Sequence, residues 1–105
     1  MDLRQLERAL AAFAVFDPTH FSLHHAQVFV FVALHGNPTY ADIEEALSLT
    51  NSSVSRTVNA LGAQHRKGHE GKGLLEGYPD PDDKRRFLVK LTAKGRALMR
   101  QIEMA

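Results

Sequence analysis

The strongest constraint on this chain is a change of hydrophobic period. Leu3, Leu6, Leu10 and Phe13 recur at three- and four-residue steps, the spacing of one helix face. Further along, Phe87, Val89 and Leu91 alternate with Leu88 and Lys90, the spacing of a strand. Beyond Thr92 the helical step returns, with Leu98 and Ile102 on one face. A chain patterned this way is mainly α, with one small β insertion near its C-terminal end.

Local punctuation divides the helical part. Residues 3–16 read as a first helix, stopped by Asp17-Pro18 because proline disfavours helical geometry in the residue before it. Ser22 can cap a second helix that runs to about His35 and ends at Gly36. Its centre, Val28–Val32, is β-branched and aromatic, so a helix buried on most sides is expected there. Asn37-Pro38 marks a turn. Thr39 then caps a short third helix, Tyr40–Leu47, with Ile43, Ala46 and Leu47 facing inward. After the tight connection Ser48-Leu49-Thr50, a fourth helix spans about Asn51 to Leu61, with Thr50 or Asn51 as its cap and Gly62 at its end. Residues 62–73, which hold four glycines, read as a mobile loop. Two short strands, Leu74–Tyr78 and Phe87–Leu91, form a hairpin with a charged, proline-punctuated tip. Thr92 caps a last helix from Ala93 onward, and Gly95 weakens its first turn.

At 105 residues the chain has room for a single domain, residues 1–105, and one modest core. It contains no cysteine, which excludes disulfides, thiolate metal sites and cysteine nucleophiles. The longest apolar run, Ala9–Phe16, is far short of the roughly 20 residues that span a bilayer. A soluble cytoplasmic protein without membrane contact is expected. Phosphate-loop and dinucleotide fingerprints are missing, and no nucleophile–base pair stands out, so neither an enzyme nor a cofactor is expected. His20 and His24 are four apart, as are His65 and His69. The first pair straddles a helix start and the second lies among glycines, so no metal site is expected either.

Four helices, a hairpin and a helix is the order of a winged helix-turn-helix. The pair Tyr40–Leu47 and Asn51–Leu61, joined by about three residues, has the dimensions of a DNA-binding helix-turn-helix. On the second helix Val54, Val58 and Leu61 fall on one stripe. Ser52, Arg56 and Asn59 lie opposite, flanked by Ser53 and Ser55, with Thr50 and Asn51 at the helix entry. Arginine can bridge guanine, asparagine can bridge adenine, and serine adapts to either. Charge supports an anionic partner. Residues 1–50 carry two basic and six acidic side chains, whereas residues 51–100 carry eleven basic and five acidic. The hairpin tip concentrates Lys84, Arg85 and Arg86 beside Asp80, Asp82 and Asp83. A carboxylate can hold an arginine fork in a fixed direction, ready for a narrow minor groove.

The run IEEALSLTNSSVSRTVNAL, Ile43–Leu61, resembles the helix-turn-helix of the multiple-antibiotic-resistance regulator (MarR) family. The run DPDDKRRFLVKLTAKGRAL, Asp80–Leu98, resembles that family's wing and the start of the helix after it. The resemblance implies a homodimeric DNA-binding protein, usually a transcriptional repressor. It implies that positions such as Ser52, Ser53, Ser55 and Arg56 read the major groove. It also implies that Arg85 reaches the minor groove, braced by Asp83. Two departures stand out: residues 62–73 are longer than the family's usual link, and the family usually has a longer C-terminal helical region. The extra loop either offers Arg66, Lys67 and Lys72 for phosphate contacts or is simply slack. With less chain after Thr92, dimer contacts are expected from the terminal helices, through Leu3, Leu6, Leu10, Phe13, Leu98 and Ile102. A winged-helix protein-interaction module, in a replication or phage-type regulatory assembly, is the rival reading, because a fold alone does not decide function.

Overall fold

A computed structural model describes residues 2–62, 64–66 and 69–104. The elements run α1 (Leu3–Phe16), α2 (Leu23–His35), α3 (Tyr40–Leu47), α4 (Asn51–Leu61), β1 (Gln64–Arg66), β2 (His69–Glu70), β3 (Leu75–Pro79), β4 (Phe87–Leu91) and α5 (Ala93–Glu103). Each helix begins at a side chain that accepts from a first-turn amide. Asp2, Ser22 and Thr39 do so in reciprocal capping boxes with Gln5, His25 and Asp42. Thr50 caps α4 and Thr92 caps α5. Between α3 and α4 the chain turns at Ser48, which sits in the left-handed region at φ 54°.

The core gathers Phe13, Val28, Phe29, Val32, Ile43, Val54, Val58, Leu61, Leu74, Leu75, Val89 and Leu98. Phe13 lies with its ring centroid 5.0 Å from Phe21 and 5.8 Å from Phe29. The wing is the antiparallel pair β3–β4, in register from Leu75 opposite Leu91 to Pro79 opposite Phe87. The other edge of β4 meets the segment before α3, through the Val89 N–H to the Pro38 carbonyl at 2.9 Å and a Thr39–Leu88 bridge. The hairpin is thereby tied to the start of the helix-turn-helix.

Several expectations need correction. Residues 62–73 are not simply a loop: β1 and β2 pair antiparallel, and the chain then returns along the end of α4. Lys72, Gly73 and Leu74 donate their N–H groups to the carbonyls of Ala60, Gly62 and Leu61. Leu74 consequently sits below the ladder, and the first wing strand starts one residue later than its side-chain pattern suggests. Ala46 is exposed, and only Ile43 of α3 is fully buried. On α2, Val28, Phe29 and Val32 are buried, but Leu23, Val30 and Leu34 are exposed, because a domain this small covers only one side of an apolar helix.

Lys72 is not available for phosphate. Its Nζ lies 2.6 Å from Asp17 Oδ2, with both side chains largely shielded, and 5.8 Å from the centroid of the Phe21 ring. Lys67 and the side chain of Arg66 lie outside the described residues. The Lys72 ammonium, helped by the backbone N–H groups of His20 and Thr19, lowers the Asp17 carboxyl from 3.8 to about 2. A carboxyl whose proton is held less tightly in the folded state stabilises the fold above its unfolded value, 3.8. That contribution disappears as pH falls towards about 2. Asp17→Asn should therefore cost about 1–3 kcal/mol near neutrality, the range for a charge-assisted hydrogen bond. The gap from the parent protein should close between pH 4 and pH 2 in urea titrations. A gap that stays constant through that window would contradict this account.

Candidate nucleic-acid interface

The packing of α4 decides which of its side chains face outward. Val54, Val58 and Leu61 are buried, as the stripe predicts, and Thr57 and Ala60 join them. Ser52, Arg56 and Asn59 are exposed on the other side, with Ser53 and Ser55 at intermediate depth. No hydrogen bond or ion pair holds the side chains of Ser52, Arg56 or Asn59 among the described residues. The helix entry is different. Thr50 Oγ1 accepts the Ser53 N–H and donates to Ser53 Oγ, both at 3.1 Å. Asn51 Nδ2 donates to Glu44 Oε2 at 3.2 Å. Thr50 and Ser53 close the entry of α4 and Asn51 ties it to α3, whereas Ser52, Arg56 and Asn59 are unengaged.

Asn59 also faces the wing. With Glu76, Gly77 and Phe87 of the hairpin and Tyr40 of α3 it lines a cavity of about 420 Å³. The Tyr40 hydroxyl is pushed up in pKa by burial at this junction. The polar side of α4 and the hairpin therefore border one recess.

At the wing tip the acids divide the work. Asp80, nearly buried, accepts the Asp82 N–H at 2.8 Å and lies 3.0 Å from Arg86 Nη2. The Asp80 N–H donates to the Arg86 carbonyl at 2.9 Å, so Asp80 and Arg86 close the turn between them. Arg86 also helps hold the Asp42 carboxyl below its ordinary range, after the larger effect of the Thr39 N–H. Asp83 instead grips Arg85, accepting from its Nε at 3.2 Å and its Nη2 at 3.5 Å while also accepting the Arg85 N–H. That grip lowers the Asp83 carboxyl. The Arg85 side chain is still 90% exposed, and Lys84 beside it is exposed as well. Composition alone does not reveal that Asp80 frames the turn while Asp83 aims Arg85. The pairing of Asp83 with Arg85 is the one that the family resemblance implies.

The expected dimer residues separate into two groups. Leu3, Leu6 and Leu10 are exposed, by 82%, 40% and 50%. Phe13 and Leu98 are core residues, and Ile102 packs partly against that core. The correction follows from α1 packing on α5: the inner edge of the seam is consumed within the chain. Leu10 and Ala14 of α1 and Leu23 and Ala26 of α2 border a shallow groove of about 270 Å³, which carries the exposed apolar surface onto α2. Among the described residues no group of three His, Asp or Glu side chains gathers as a metal site, and no helix is long and apolar enough to cross a membrane.

Comparison with known proteins agrees with this geometry. A family model described as a winged helix DNA-binding domain matches residues 21–95. Among solved structures, Rv1404 from Mycobacterium tuberculosis superposes with a TM-score of 0.73 at 24% identity, over 94% of this chain and 61% of that one. A MarR variant from E. coli complexed with operator DNA gives 0.69 at 23%, over 94% and 65%. The S. aureus MepR–DNA complex gives 0.75 at 23%, over 96% and 74%. The fold is therefore that of the MarR regulators, and this chain spans under two thirds of the first two. No curated protein matches it.

Proposed function

Because the chain belongs to the family of winged helix DNA-binding domains, we propose that it binds double-stranded DNA in a sequence-specific manner and regulates transcription as MarR-type proteins do. The observation that carries this reading is the unengaged Ser52–Arg56–Asn59 face of α4, beside a wing whose Arg85 is aimed by Asp83. The α4 helix enters the major groove. There Ser52, Ser55, Arg56 and Asn59 lie nearest the bases, and Thr50, Asn51 and Ser53 hold the helix entry close to the backbone. Lys84 and Arg85 engage backbone and minor groove, while Arg86 shapes the turn that presents them. Two S. aureus MepR structures and one E. coli MarR structure contain DNA, which supports the same use of this fold here.

A homodimer on an inverted repeat completes the reading. Exposed Leu3, Leu6 and Leu10, continued by Leu23, supply the apolar face that a second copy would cover, with Ile102 at its margin. A repressor that occludes a promoter is the simplest regulator that such a dimer forms. Selection of bound duplexes from a random pool tests both parts. An enriched palindrome is expected, and an unenriched pool would overturn sequence-specific binding.

The wing has its own expected result. Arg85→Ala should weaken binding to every duplex by a similar factor and reduce the slope of log affinity against log salt by about one. An unchanged slope would remove Arg85 from the interface. If the protein is an interaction module instead, random duplex should bind negligibly at both about 50 and about 200 mM salt.

A further inference from the structure

Between the start of α2 and the flank of α4 lies a cleft of about 320 Å³, lined by His24, His25, Ser53, Arg56 and Thr57 among others. No carboxylate is among its described lining residues. The backbone at the start of α2 is already satisfied there. Ser22 Oγ accepts the His25 N–H at 3.2 Å, and the Ser22 N–H donates to His25 Nδ1 at 3.1 Å. His25 is further fixed edge-on to Phe21, with ring centroids 5.6 Å apart. What the cleft offers is therefore side-chain chemistry: an exposed imidazole at His24, an arginine without an ion-pair partner among the described residues, and hydroxyl groups.

We propose that this cleft takes a DNA phosphodiester at the rim of the groove that α4 enters, and that His24 makes the contact depend on pH. The proposal rests on the DNA reading above. Packed helices lie about 8–10 Å apart, and the major groove is about 12 Å wide. With α4 in the groove, the start of α2 stands over the strand that borders it. Arg56 belongs to both surfaces, because it lines the cleft and stands on the outer side of α4. Imidazoles gain their charge across the range from about pH 8 to pH 5. Among the described lining residues the other titratable or charged groups are His25, beside His24 on α2, and Arg56 on α4. A phosphate held between His24 and Arg56 would be a neighbouring anion, and a neighbouring anion favours the charged imidazole. DNA binding then takes up a proton, and affinity rises as pH falls.

The test is fluorescence anisotropy with a labelled random-sequence duplex at about pH 8, 7 and 6 and constant ionic strength. The parent chain, His24→Gln and His20→Gln are compared. His20 is an exposed control at the α1–α2 turn, hydrogen-bonded to Thr19. The parent and His20→Gln should bind about tenfold more tightly at pH 6 than at pH 8, within the limit of tenfold per pH unit for one proton. His24→Gln should reduce that ratio to under about threefold. A pH-independent parent, or a His24→Gln variant with the parental response, overturns the cleft assignment and leaves the DNA reading standing. Failure of the parent to bind duplex at low salt overturns both. A parallel arm follows melting temperature with inorganic phosphate alone. A His24-dependent rise there, with duplex binding indifferent to pH, would identify a free-anion site and overturn the DNA assignment.

Discussion

Arg56→Ala should lower affinity for the selected palindrome by about 1–3 kcal/mol, which is about 5- to 150-fold, and should leave thermal stability unchanged. The two halves of that expectation come from one observation. Arg56 is exposed on α4, and no ion pair or hydrogen bond engages its side chain among the described residues. Removing it strands no buried partner and opens no cavity, so the fold loses almost nothing. At the DNA the same lack of internal partners leaves its planar fork available for the two acceptors of a guanine edge, a contact alanine cannot replace. Arg56→Lys separates base reading from charge. Lysine keeps the phosphate attraction but loses the fork, so affinity for random duplex should be held while preference for the palindrome falls. If Arg56→Ala weakens selected and random duplex equally in anisotropy titrations, the residue touches only backbone and another side chain specifies sequence.

Much of this arrangement is legible in the chain because it is local. Ser22, Thr39 and Thr92 stand next to apolar runs as capping residues, and the structure uses each of them that way. The two candidate caps of α4 resolve to Thr50, which leaves Asn51 to reach Glu44 on α3. Val54, Val58 and Leu61 are buried because a helix with a single apolar stripe has one way to face a core. The features that are hard to read are the ones that depend on distance along the chain. Asp17 reads as a helix stop and Lys72 as a loop cation, yet the two meet across 55 residues and neutralise each other. Phe13 and Leu98 fit a dimer seam as well as they fit a core, and only the approach of α1 to α5 distinguishes the two uses. Leu23, Val30 and Leu34 show the opposite problem. An apolar helix without an Asp, Glu, Lys or Arg suggests burial on most sides, but the core takes only Val28, Phe29 and Val32 of it and leaves Leu23, Val30 and Leu34 outside.

Gly95 shows how a residue can be read with the right position and an incomplete cause. As a helix-interior glycine it suggests a weakened first turn, and replacing it with alanine would then stabilise α5 by up to about 1 kcal/mol. The structure predicts the opposite sign. Gly95 is buried where α5 docks on the strand entry, and a Cβ there would collide with the Leu74 carbonyl oxygen and press on Leu91 Cβ at 3.3 Å. The obstacle is backbone that is already committed. The Leu74 carbonyl accepts the Thr92 N–H at 2.9 Å, the Leu74 N–H donates to Leu61 at 2.7 Å, and Thr92 Oγ1 donates to the Gly73 carbonyl at 2.7 Å. Neither side can move without breaking bonds that join α4, the wing and α5. Gly95→Ala should therefore destabilise the protein by about 1–3 kcal/mol, the usual cost of overpacking. Melting temperature should fall by roughly 5–20 °C for a domain of this size. Because Thr92 follows β4 directly, the strained variant should also shift the root of the wing and weaken duplex binding at temperatures where it remains folded. Calorimetry of Gly95→Ala decides between the two accounts: a higher melting temperature would mean that helix propensity governs this position and that α5 is not locked to the strand entry.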